Sequence, residues 1–194
     1  VQTCALPISM TLGQEFHGWG FTINDEIENL RAAQEHLKIV NLGATAIGTT
    51  VTAAPGYPEL AVKNLAELTG IDFKNSEDLI AATSDCGAYM TLSSAIKGLA
   101  VKMTKVCNDI RLLASGPRCG LKEINLPQLQ PGSSIMPGKV NPVAAEVANQ
   151  ASFLAIGLDT TVMLAASAGQ LELNVMEPVI TYALYTQMKV MTNA

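Results

Sequence analysis

Charge is what this chain has least of. Only 15% of its 194 residues are Asp, Glu, Lys or Arg, against roughly 25% in an ordinary soluble domain. The few charges sum to −5 and form no basic stripe, which excludes a nucleic-acid backbone as partner. Cysteine is sparse and scattered. Cys4, Cys86, Cys107 and Cys119 form no Cys-x-x-Cys pair, and neither His17 nor His36 stands at ligand spacing from another donor. That excludes a zinc-ribbon site and implies reduced thiols in a cytosolic setting. A long unbroken apolar run is also lacking. The longest uncharged stretch, 39–58, is interrupted by Gly, Thr and Pro, so no membrane-spanning helix is expected there. Residues 1–8, Val-Gln-Thr-Cys-Ala-Leu-Pro-Ile, carry no charged n-region and do not read as a signal peptide. They read as one translated frame of a sequencing-library adapter, so the expected domain is 9–194.

What is present is apolar and helical. Hydrophobic residues make up 48% of the chain, with a mean hydropathy of +0.26. A soluble chain so poor in charge is expected to hide surface inside an oligomer. From Met10 to Val40, Leu12, Phe16, Trp19, Ile23, Ile27, Leu30, Leu37 and Val40 recur at three- and four-residue steps, the helical period. Asn41 to Pro58 is turn-rich. Its Gly43-x4-Gly48 spacing matches a phosphate loop, but Thr49 stands where lysine is needed. A short helix is predicted over Pro58 to Leu68, closed by Gly70. A longer one is predicted from Ser76, with Leu92, Ile96, Leu99, Met103, Val106, Ile110 and Leu113 keeping a 3.5-residue period, the seam of a helical bundle. Gly116-Pro117 should stop it.

The 53 residues from Pro142 onward hold only five charges, Glu146, Asp159, Glu172, Glu177 and Lys189. Helices apolar nearly all round are expected to be buried on all sides. Gly157 and Gly169 should interrupt them, and Pro178 should kink or break the last one. No strand alternation and no internal repeat appears. The predicted class is all-α.

Between the two apolar blocks lies Gly132-Ser-Ser-Ile-Met-Pro-Gly-Lys-Val-Asn-Pro142. Two hydroxyls, a cation and a carboxamide are set in a Gly/Pro loop whose last residue stands at a helix start. The loop should deliver Ser133, Ser134, Lys139 and Asn141 to the positive end of that helix, a receptor for a carboxylate. A serine held there could take a proton next to the bound group. The surroundings of Ser133 are not Gly-x-Ser-x-Gly, and no His-Asp partner set accompanies it, which argues against a serine hydrolase.

The run Gly-Ser-Ser-x-Met-Pro-x-Lys-x-Asn-Pro resembles the signature of the aspartase/fumarase superfamily, whose members eliminate fumarate from a substituted succinate. Met10–Phe16, Asn41–Thr49 and Leu113–Arg118 resemble further blocks of it. Ala82–Tyr89, Glu123–Pro127 and Gly169–Pro178 resemble the branch that removes ammonia from aspartate more than the class II fumarase branch. The resemblance implies a long antiparallel helical bundle, the central domain of the fold. Four such subunits would pack into one homotetrameric core, with each active site shared among three of them. It implies reversible deamination of L-aspartate to fumarate and ammonia in the cytoplasm, with no organic cofactor and no catalytic metal. The alternatives are malate–fumarate interconversion or a non-catalytic helical relative.

By the same resemblance, Ser133 is the general base and Ser134 a substrate contact. Lys139 and Asn141 hold the carboxylate beside the departing proton, and Glu146 supports the lysine. Arg118 reads first as a loop anchor, His17 and His36 as structural. The family's Thr-His or Thr-Gln substrate pair would fall at Gln2-Thr3, and the family's N- and C-terminal domains have no counterpart in the 194 residues. The chain alone is therefore expected to be inactive and poorly soluble.

Overall fold

The structure is a computed structural model and describes residues 9–136 and 138–194. It contains α1 (Leu12–His36), β1 (Ile39–Val40), α2 (Tyr57–Thr69), β2 (Lys74–Asn75), α3 (Ala81–Ser84), α4 (Gly87–Leu113), α5 (Val143–Ser167) and α6 (Glu177–Asn193). The all-α reading holds. The strands are a two-residue parallel pair, Ile39 beside Lys74 and Val40 beside Asn75, tying the end of α1 to the segment after α2.

Four long helices make the bundle, and its side-chain pairs give their directions. Lys102 of α4 pairs with Glu26 of α1, and Lys105 reaches back to Glu15. Ser93 meets Asp159, while Asn108 meets Asn149 farther along α4. Gln187 of α6 bonds the Ala155 carbonyl of α5, and Ser152 faces Met191. In each pair one helix advances as its neighbour recedes, so α1–α4, α4–α5 and α5–α6 are all antiparallel.

Local chemistry explains the ends. Thr11 and Gln14 form a reciprocal capping box at α1, satisfying two orphan amides. Gly70, at φ 69°, closes α2, the left-handed geometry glycine permits. The single helix expected from Ser76 is in fact broken. Asp78 caps the short α3 by accepting from Ile80 and Ala81. Asp85, in extended conformation, then turns its carboxylate onto the Gly87 amide at 3.0 Å. That side-chain bond offers the backbone an alternative to the helical ladder, so α4 starts afresh at Gly87. Pro178 also departs from expectation. It sits in the first turn of α6, where its missing N–H costs nothing, and starts the helix rather than breaking it. Gly157 lies within an unbroken α5.

The inward side of α4 agrees with the predicted seam, but its deepest positions are Ser93, Ile96, Ala100 and Cys107. Opposite lie Ala145, Ala148, Asn149, Ser152, Ala155, Asp159 and Val162 of α5. Small side chains fill the seam, and polar ones are paired across it. Glu26 shows the same habit, buried in the α1 stripe between Trp19 and Ala33. Gly98 leaves room for its carboxylate, since a Cβ there would come within 2.8 Å of Oε2.

The expectation that the last helices are buried on all sides is not met within this chain. Val147, Phe153, Leu154, Met163 and Leu164 of α5 are exposed, as are Tyr182 and Tyr185 of α6. α5 also has the length and apolar composition of a membrane span. Its inward face is nevertheless polar at Asn149, Ser152 and Asp159, each buried against α4 or α6.

Candidate active site

α4 ends at Leu113 and α5 begins at Val143; the chain between them is irregular and forms one end of the bundle. A tight turn follows α4. Ser115 Oγ receives the Leu121 amide at 3.1 Å, and its carbonyl receives the Lys122 amide at 2.7 Å. Gly120 packs so closely that a Cβ would lie 2.3 Å from the Ser115 carbonyl carbon. The turn places Lys122 in left-handed backbone, φ 51°, which is uncommon for a residue with a Cβ.

The signature loop returns the chain to α5. Gly132 lies against the carbonyl of Lys139, and a Cβ there would approach that oxygen to 2.6 Å. The two arms of the loop therefore pinch together where only glycine fits. Gly138 supplies a second left-handed position, φ 79°. No side chain caps α5 after Pro142, leaving the first-turn amides without an intrahelical acceptor.

Between turn and loop opens a cavity of about 780 Å³. Lys139, Asn141 and Glu146 line it, and so do Arg111 and Lys122. Three cations thus face one carboxylate in a chain whose net charge is −5. Asn141 and Glu146 are half-buried, whereas Lys139 is exposed. Among the described residues no ion pair within 4.0 Å joins Lys139 to Glu146, though both line the cavity.

The serines stand apart from it. Ser133 is half-buried and its Oγ accepts the Ile135 amide at 3.2 Å; Ser134 is exposed. Neither lines the cavity, although Ser133 directly follows the glycine pinned against Lys139. Arg118 does not line it either. Pro137 lies outside the described residues, as do Cys4 and the Gln2-Thr3 position.

Arg111 and Lys122 were not singled out from the sequence. Arg111 sits in the last turn of α4, where a cation also answers the helix dipole, so its spacing alone reads as an exposed helix end. Lys122 lies just beyond a family block, in a turn whose path only the fold sets.

The comparisons agree with this architecture. The family model described as "Lyase" matches residues 4–157. Aspartate ammonia-lyase of Escherichia coli K12 is 59% identical over 187 residues, covering 96% of this chain and 39% of the relative. The Helicobacter pylori 26695 aspartate ammonia-lyase is 53% identical over 178 residues, covering 92% and 38%. Among solved structures, a fumarate lyase:delta crystallin from Brucella melitensis bound to cobalt superposes with TM-score 0.89 at 46% identity, covering 95% of this chain and 41% of that one. A class II fumarase from Schistosoma mansoni gives 0.88 at 32%, covering 95% and 42%. This chain thus spans about two fifths of the length of the relatives it matches. With the signature loop, the antiparallel bundle and the family match in agreement, the chain belongs to the lyase family of the aspartase/fumarase superfamily.

Proposed function

We propose that residues 9–194 are the central helical domain of a carbon–nitrogen lyase that converts L-aspartate reversibly to fumarate and ammonia. The observation carrying this reading is the cavity in which Lys139, Asn141 and Glu146 meet at the uncapped start of α5. The identity to aspartate ammonia-lyases supports the choice of substrate.

In this reading Ser133, first ionised by loss of its hydroxyl proton to solvent, takes a proton from Cβ of aspartate onto Oγ and becomes the neutral hydroxyl, with Ser134 as a substrate contact. The electron pair moves onto the adjacent carboxylate, which becomes an enediolate bearing a second negative charge. Lys139, Asn141 and the first-turn amides of α5 stabilise that charge, and Glu146 supports the lysine once the loop has moved over substrate and brought the two within ion-pair reach. The pair then returns to form the Cα–Cβ double bond as the C–N bond breaks, releasing ammonia. Ser133 lies outside the cavity wall, so the loop must fold inward over substrate, excluding water as it does. Glycines at 132 and 138 suit such a movement.

The exposed apolar faces of α5 and α6 support a homotetramer in which copies of these helices pack on one another and complete each site. The free thiols of Cys86, Cys107 and Cys119 fit a cytoplasmic location.

The test is a chimaera in which residues 9–194 replace the matching stretch of the Escherichia coli relative. Fumarate absorbance should rise with aspartate, and Ser133→Ala should lower kcat by at least about 100-fold, the lower end of general-base contributions. Turnover of malate but not aspartate would move the assignment to the fumarase branch. Undiminished activity of the alanine variant would remove Ser133 from the role of base.

A further inference from the structure

We draw no further inference here: the strongest candidate, the cavity of about 650 Å³ between the turn at 50–56, the start of α2 and β2, lined by Glu59, Lys63, Lys74 and Glu77, carries nothing, because the unpartnered polar atom beside it, Asn75 Oδ1, is shut off from solvent and nothing in the structure shows what would occupy the space.

Discussion

Asp159 of α5 and Lys97 of α4 form an ion pair at 2.5 Å across the central seam, and Ser93 completes it by donating to the same carboxylate at 2.8 Å. Asp159 is 7% exposed, whereas the Lys97 side chain keeps 40% of its surface in solvent. The two partners are therefore unequal. Removing the lysine strands a buried carboxylate with hydroxyl partners only, while neutralising the acid leaves a lysine that can turn to water. Lys97→Met should destabilise the fold by roughly 3 kcal/mol, in the range for a broken buried pair, and Asp159→Asn by less. Thermal unfolding of both variants tests the order; equal losses would mean the carboxylate is not held by Lys97.

Glu26 gives the fold an acid-sensitive contact. Its hydrogen bond to Lys102 holds its carboxyl below the ordinary glutamate value, outweighing the opposing effect of burial. The folded state thus favours the ionised form. The stability so gained is complete above the ordinary value and is lost as pH falls through the depressed one. Apparent Tm should decline on acidification below about pH 4.5, and Lys102→Met should flatten that part of the decline. A profile unchanged by the substitution would rule out the pair as its source.

Asn174 joins the two most apolar helices. Buried at 3% exposure, it donates to the carbonyls of Ala165 and Ala166 at the end of α5 and accepts the Met176 amide just before α6. Asn174→Ala leaves buried backbone groups without partners, a loss of about 1–3 kcal/mol. For a chain of this size that is a fall in Tm of roughly 2–12 °C. Asn174→Asp should be no better, because it sets a carboxylate against two carbonyl oxygens.

Gly132 separates a loop effect from a stability effect. Gly132→Ala pushes a methyl group into the Lys139 carbonyl and must part the two arms of the loop. In the chimaera, kcat/KM for aspartate should fall at least about tenfold, as misplacement of a positioned group by an ångström can do, with Tm little changed. Gly138→Ala meets no neighbour within 4 Å and should show only the strain of a left-handed alanine, about 1 kcal/mol. Matching losses at both glycines would argue that flexibility, not the close approach, is what the loop needs.

Much of this molecule was readable from residues in order. The helical periods, the Gly70 stop, the α4 seam and the motif that marks the family all depend on neighbours within a turn or two along the chain. So did the presence of Lys139, Asn141 and Glu146 at one helix start. Local competition already escaped the periodic pattern: the Asp85 carboxylate that captures the Gly87 amide breaks a helix whose apolar spacing runs straight through it. Pro178 reads as a breaker or a starter depending on where the preceding turn ends. What the tertiary structure alone decided is which distant groups meet. Arg111 and Lys122 become walls of the cavity because α4 ends beside the start of α5 and the turn around Ser115 folds back. Glu26 and Asp159, charges in otherwise apolar stripes, are tolerated because a lysine on a neighbouring helix reaches each. Spacing along one helix specifies a face, but the partner of a buried charge lies on another helix, and only packing determines where that helix runs.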